Sequence, residues 1–316
     1  MDTPTSFPGP VTLLKAGLSH YKQRGRAVLT IAIAQFVIGM ALGFAIVMLS
    51  ALGTVGMLIG VPLALLFVWA VLWLGLAMLM VFVAEPGSLS ARAALGRAAP
   101  QVFRFLWVNV LTVLVYSGIL ALVAGIPALV LYFVAGPVPA LVAGLVLFFV
   151  AAIVTSPWFS FVGWAFADQG ARGMQALLTS REMVRGRNWS VLWRMVVIGF
   201  LVGIATVILV IPFELIALAL PGVVGDILSE IGSGIAQVLL APIFVGALYA
   251  LYAHLKPVAG APTPVGNGKR YTLLAILGVL FVPAFFGFIA YLIMTQAPML
   301  ETAGEFESEP LSAPVE

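Results

Sequence analysis

The sequence predicts an all-α, polytopic transmembrane bundle of about seven spans, and three observations predict it. Seven apolar stretches run through the 316 residues, each long enough for the roughly 20 residues a spanning helix needs. The chain is 63% hydrophobic and 9% charged, where soluble domains carry about 25% charged residues. The connections between stretches alternate between basic and uncharged or acidic, so all 15 Lys and Arg fall on one side. Lys and Arg resist translocation, which puts the N-terminus in the cytoplasm and the C-terminus outside a bacterial inner membrane.

The elements follow in order. Residues 1–27 hold Pro8, Pro10, Lys15, Lys22, Arg24 and Arg26 with no short apolar core, so they read as a cytoplasmic amphipathic segment and not as a cleavable signal. The transmembrane domain covers 28–296, with spans at 28–50, 55–84, 105–134, 138–167, 192–220, 231–254 and 271–296. Several exceed the minimum length, so tilt, kinks or interfacial extensions are expected. Outer turns near Gly53 and Gly136-Pro137 are short and make antiparallel hairpins. Residues 297–316 carry Glu301, Glu305, Glu307, Glu309 and Glu316 with prolines, a composition expected to stay disordered.

The inner connections are amphipathic. Leu14, Leu18 and Tyr21 recur at helical spacing, as do Met174, Leu177, Leu178 and Val184, flanked by Arg172, Arg181 and Arg185. The segment 88–100 carries Arg92 and Arg97. Such helices lie in the headgroup layer, pairing charge with anionic lipid, or pack on their own bundle, and the two can hold together. An internal repeat underlies the layout. At an offset of 85 residues, Gly118 aligns with Gly203, Pro127 with Pro212, Pro157 with Pro242, and Phe159 with Phe244. The copies, 88–167 and 171–254, start on the same side and form a parallel repeat.

Pro127, Pro157, Pro212 and Pro242 are candidate hinges. Each removes a backbone hydrogen bond, giving either mobile joints or static kinks. Glu214 is the single acid inside an apolar run and so a candidate intramembrane acid, either a buried proton carrier or a solvated interfacial group. It lies about 33 Å along its helix from Leu192 at 1.5 Å per residue, near the outer interface. The other polar residues within spans, among them Gln35, Asn109 and Gln237, suit interhelical hydrogen bonds. Gly39-x-x-x-Gly43, Gly56-x-x-x-Gly60 and Gly199-x-x-x-Gly203 are spacings that let helices approach closely.

Chemistry is sparse. There is no cysteine, which excludes disulfides and thiol catalysis. His20 and His254 are the two histidines, and no metalloprotease, Walker or nucleophile-elbow motif occurs. Asp168 and Glu85 each follow a span and suit the start of a helix. Arg181, Arg185, Arg187 and Arg194 are candidate contacts for phosphate headgroups. They equally serve as topology signals. No catalytic residue, cofactor, metal or nucleic-acid partner is expected; membrane lipids, anionic ones among them, and a membrane-protein partner are.

The strip Phe166-Ala-Asp-Gln-Gly170, followed by Ala176-Leu177-x-x-Ser180 and Gly186 and running into a hairpin, resembles a segment of YciC-like bacterial membrane proteins. The layout is similar to the membrane domain that precedes the catalytic domain of some glycerophosphodiester phosphodiesterases. The resemblance covers 166–211 and implies a six-span helical membrane protein. Nothing after the last span here forms a hydrolase domain, so that activity does not transfer, and no functional residue does. The expected function is therefore a non-catalytic membrane protein that scaffolds a partner or organises lipid; the alternative is a carrier of an uncharged or lipidic substrate.

Overall fold

The computed structural model describes residues 7–50, 52–220, 222–259, 268–284 and 287. The expected acidic tail and the end of the expected last span lie outside them; residues 268–284, which open that span, are helical. Among the described residues there is no strand. Six helical stretches are long and apolar enough to cross a membrane: Pro10–Leu49, Leu58–Val83, Ala91–Ala135, Pro137–Gln169, Asn188–Leu218 and Val224–Pro257. Only 6% of the apolar window of Asn188–Leu218 is buried within the protein. Side chains such as Phe44, Leu58, Phe133 and Leu218 stand open along these shafts. A continuous apolar surface of this kind fits lipid and not water.

The helices are α1 (Pro10–Ser50), α2 (Gly53–Val83), α3 (Ala91–Ala98), α4 (Val102–Leu120), α5 (Ile126–Ala135), α6 (Pro137–Phe159), α7 (Val162–Gln169), α8 (Met174–Val184), α9 (Asn188–Leu218), α10 (Val223–Ala259) and α11 (268–284). They fall into two units. The first comprises Met1–Thr112 and Ala152–Gly268, the second Val113–Ala151 and Lys269–Glu316. The N-terminal amphipathic segment is no separate element, because α1 runs unbroken from Pro10 through the first span.

In the first unit α1 packs on α2 and α10, α9 packs on α10, and α3, α7 and α8 close the end where the basic residues lie. Its core sits at that end, in Val28, Leu74, Phe82, Phe161, Leu177, Met183, Leu251, Tyr252 and Leu255, all essentially buried. Backbones of α1 and α10 approach closely where Gly17 of α1 meets Ala247 and Ile243 of α10, and Gly246 meets Gly17 in return; Gly56 of α2 likewise lies against the backbone of Leu49 of α1. In the second unit Gly118 of α4 lies against the backbone of Leu274, and Gly278 of α11 against that of Leu114. Adding 4 to one number while subtracting it from the other keeps contact, so this crossing is antiparallel. The glycine spacings noted in the sequence do not mark the α1–α10 or α4–α11 crossings: a Cβ at Gly43, Gly60, Gly199 or Gly203 would meet open space, and of the glycines in those spacings Gly56 alone lies against a backbone, that of Leu49.

The prolines differ in how the backbone absorbs them. Pro127 follows a π-helical turn, Ala121–Gly125, closed by Ile126 N–H donating to Ala121 O. Pro62, Pro212 and Pro242 sit inside unbroken helices. Pro157 lies in the last turn of α6. The carbonyl it frees, that of Ile153, accepts from Ser156 Oγ at 2.8 Å. Beyond the break, Phe161 N–H donates to the buried Ser180 Oγ at 3.2 Å. The expected span at 138–167 is thus cut at residues 160–161, and both orphaned backbone groups find side-chain partners.

Two sequence expectations are resolved here. Helix α8 packs on its own bundle: Ala176, Leu177, Leu178, Thr179, Ser180, Met183 and Val184 are buried, against α7 and α10. Asp168 does not open a helix. It closes α7, which ends at Gly170 in the left-handed conformation (φ +67°), a backbone state that glycine adopts without steric cost.

Candidate functional site

The basic end of the first unit is where the polar side chains converge. Arg24 is 7% exposed, and its guanidinium serves the C-terminus of α2. Nε donates to Val81 O at 3.0 Å and Nη2 to Ala84 O at 2.7 Å, satisfying carbonyls that a helix end leaves open. Nη1 donates to His20 Nδ1 at 3.2 Å. Beside it Phe82, Trp164, Tyr249 and Tyr252 form one aromatic cluster. Tyr252 OH donates to Asp168 Oδ2 at 2.5 Å, and Lys256 Nζ pairs with the same oxygen at 2.7 Å. Gln169 Nε2 donates to Tyr252 OH at 3.2 Å. These bonds fix the end of α7 to α10.

The four arginines singled out in the sequence do not share one role. Arg194 donates from Nε to Pro8 O (2.7 Å), from Nη2 to Phe7 O (3.1 Å) and from Nη1 to both Ser190 oxygens. Four of its five N–H groups are so used, and its plane lies over the Phe7 ring at 4.2 Å. It ties the residues before α1 to α9. Arg181 stacks on Trp158 at 5.4 Å. Arg185 makes an exposed pair with Glu182 at 3.3 Å, worth little in water. Arg187 is half-buried and caps the start of α9. Glu214 lies at the other end of the α9–α10 hairpin, half-buried, and accepts from Ser229 Oγ at 2.5 Å.

Tryptophan marks the basic end as well. Trp107, Trp189 and Trp193 are each more than half exposed, and each lies within one turn of an arginine: Arg104, Arg187 and Arg194. An indole with an apolar body and one N–H donor suits the boundary between hydrocarbon and headgroups.

A cleft and a groove open in this unit. A cleft of about 340 Å³ is lined by Gln101, Arg104, Phe166, Gly170 and Arg172, with Pro100. A groove of about 370 Å³ runs among α1, α2, α4 and α10. Its wall is apolar except for three carboxamides, Gln35, Asn109 and Gln237, and for the carbonyl of Val238, which loses its helical donor at Pro242. Asn109 Nδ2 donates back to Phe105 O at 2.8 Å. Sequence position suits these amides to interhelical ties and gives no sign that Arg104 and Arg172 share a cleft. Alternation of charge along the chain is the ground for expecting the arginines on one side, but it does not tell which two arginines a turn brings together.

Among the described residues no group of His, Cys, Asp or Glu is arranged to hold a metal ion. Comparison with known proteins returns no matching family model, no matching curated protein and no matching solved structure.

Proposed function

We propose that the protein is a non-catalytic integral membrane protein whose basic end sits in the headgroup layer, holds anionic phospholipid there and offers a platform to a membrane-protein partner. One observation carries the reading: exposed tryptophans stand beside arginines on two of the six apolar helices, Ala91–Ala135 and Asn188–Leu218. Indole and guanidinium together match the ester and phosphate levels of a lipid leaflet. The packed helices α3, α7 and α8 support it further, since they give the charges a rigid frame.

The proposal rests on the basic end facing the cytoplasm of a bacterial inner membrane, on 271–296 as a seventh span, and on 88–167 and 171–254 as parallel repeats. The recurrence of a short helix followed by a long hairpin, α3 to α6 and α8 to α10, supports the repeat. For orientation, an alkaline-phosphatase reporter fused after Glu316 is expected to be active, as outside the membrane; an inactive fusion would remove the seven-span topology.

Lipid contact is tested by mass spectrometry of phospholipid that co-purifies in mild detergent. The triple substitution Arg181→Gln, Arg185→Gln, Arg187→Gln is expected to lower bound anionic lipid about two- to fivefold, since a juxtamembrane cation contributes up to about 1 kcal/mol. Unchanged lipid content would remove these three arginines from the proposal.

A further inference from the structure

The geometry points to a bipartite site for one anionic glycerophospholipid, with its phosphate between Arg104 and Arg172 and its ester end in the carboxamide groove. The inference deepens the reading of the basic end as a lipid-headgroup surface and rests on it.

The charged half comes first. Arg104 opens α4 and Arg172 stands in the turn between α7 and α8, yet both line one cleft. Neither has an ion pair or hydrogen bond among the described residues. Retention on one side of a membrane requires positive charge near that side; it does not require two arginines lining the same cleft. An anion bound there accepts from both, and planar guanidinium groups suit phosphate oxygens. Gln101 adds a carboxamide to the same wall.

The second half lies across one pair of rings. Phe166 lines the cleft and Phe105 lines the groove, and their centroids are 5.3 Å apart. Gly163 lets this partition stand where it does, because a Cβ there would touch Leu79 and the Phe105 ring. Asn109 lies five residues deeper than Arg104 on α4, about 7–8 Å along the axis at 1.5 Å per residue. The order met going inward is therefore cation, aromatic ring, carboxamide and then apolar wall. A glycerophospholipid carries the complementary order: phosphate, glycerol, ester carbonyls and acyl chain. Gln35 and Gln237, with no bonded partner among the described residues, supply N–H donors that ester carbonyls accept. The groove volume holds the ester region and the start of one chain, and the rest extends along the exposed shafts.

The test is native mass spectrometry of the full chain released from detergent after an extended detergent wash. The wild type is expected to keep one phospholipid, enriched in anionic headgroups. Arg104→Gln with Arg172→Gln is expected to lose it, with affinity falling about tenfold per arginine, which is about 1.4 kcal/mol. Asn109→Leu is expected to weaken retention, whereas Arg185→Gln keeps it. Both arginines are exposed, so the double variant is expected to unfold at the wild-type temperature, and the wild-type adduct count needs no variant. An adduct that survives in the double variant overturns the site. So does displacement by inorganic phosphate alone, which would make the cleft a soluble-anion site. Bulk enrichment of anionic lipid without a retained adduct overturns this site and leaves the broader reading; a retained adduct without bulk enrichment does the reverse.

Discussion

Replacing Gly17 with valine is expected to unfold or aggregate the first unit. A Cβ at Gly17 would lie 2.5 Å from the backbone nitrogen of Ala247 and 2.9 Å from the carbonyl oxygen of Ile243. Neither atom can swing aside as a side-chain tip would, so α1 and α10 must part. Overpacking against side chains typically costs about 1–3 kcal/mol, and a backbone clash between two core helices belongs at or above the top of that range. The consequence spreads because α10 carries Tyr249, Tyr252 and Lys256, and α1 carries Arg24. Size-exclusion chromatography and thermal unfolding in detergent read the effect, with a fall in midpoint on the order of 5–10 °C. Gly199→Ala is the comparison: nothing lies within 4 Å of its added Cβ, and it should elute and melt like the wild type. A Gly17→Val protein that did so as well would contradict the α1–α10 crossing described above.

Arg24→Met is expected to be the second most damaging single change. The substitution keeps the aliphatic stem and removes the donors to Val81 O and Ala84 O. Two carbonyls at the end of α2 then lie against a buried core without partners. Hydrogen bonds to a charged group contribute about 1.5–3 kcal/mol each, so a loss of about 3 kcal/mol in stability follows. Arg24→Lys should fall between, because one ammonium cannot span two carbonyls as a guanidinium fork does. Arg26→Gln removes the same charge two residues later from an exposed position and should change stability by no more than about 0.5 kcal/mol. If Arg24→Met and Arg26→Gln melt together, Arg24 is a topology charge and nothing more.

That contrast shows where the sequence was legible and where it was not. Arg24 and Arg26 look alike in a count of basic residues, and both satisfy the rule that keeps Lys and Arg on one side. Only the fold distinguishes a residue turned into α2 from one turned outward, since the carbonyls it serves are 57 and 60 residues away. Helix α8 presents the same limit. Its apolar stripe through Leu177, Leu178 and Val184 was readable from spacing, but spacing cannot tell lipid from a neighbouring helix as the surface that covers it. Ser180, bonded to the orphan N–H of Phe161, is the contact that ties it to the bundle. Asp168 misled because a carboxylate just past an apolar run suits a helix start; its partners Tyr252 and Lys256 lie over 80 residues on.

The glycines make the point in reverse. The spacing Gly199-x-x-x-Gly203 is visible in the sequence and faces open space, and of Gly56-x-x-x-Gly60 only Gly56 meets a neighbouring backbone, whereas Gly17, Gly118, Gly246 and Gly278 carry crossings without belonging to any of the noted Gly-x-x-x-Gly spacings. What the sequence did reveal was governed by solvent: apolar length, charge asymmetry and the all-helical class follow from the cost of exposing backbone and charge to hydrocarbon. Local pairings depend on three-dimensional register, which composition does not encode.

The central claim is that the basic, tryptophan-bearing end holds anionic phospholipid. Its most direct test is the lipid composition that co-purifies with the wild-type chain in mild detergent, measured by mass spectrometry against the membrane from which it was extracted. The expected result is anionic phospholipid enriched several-fold over that membrane, at a reproducible ratio to protein. A composition matching the bulk membrane, with no class enriched, would contradict the claim.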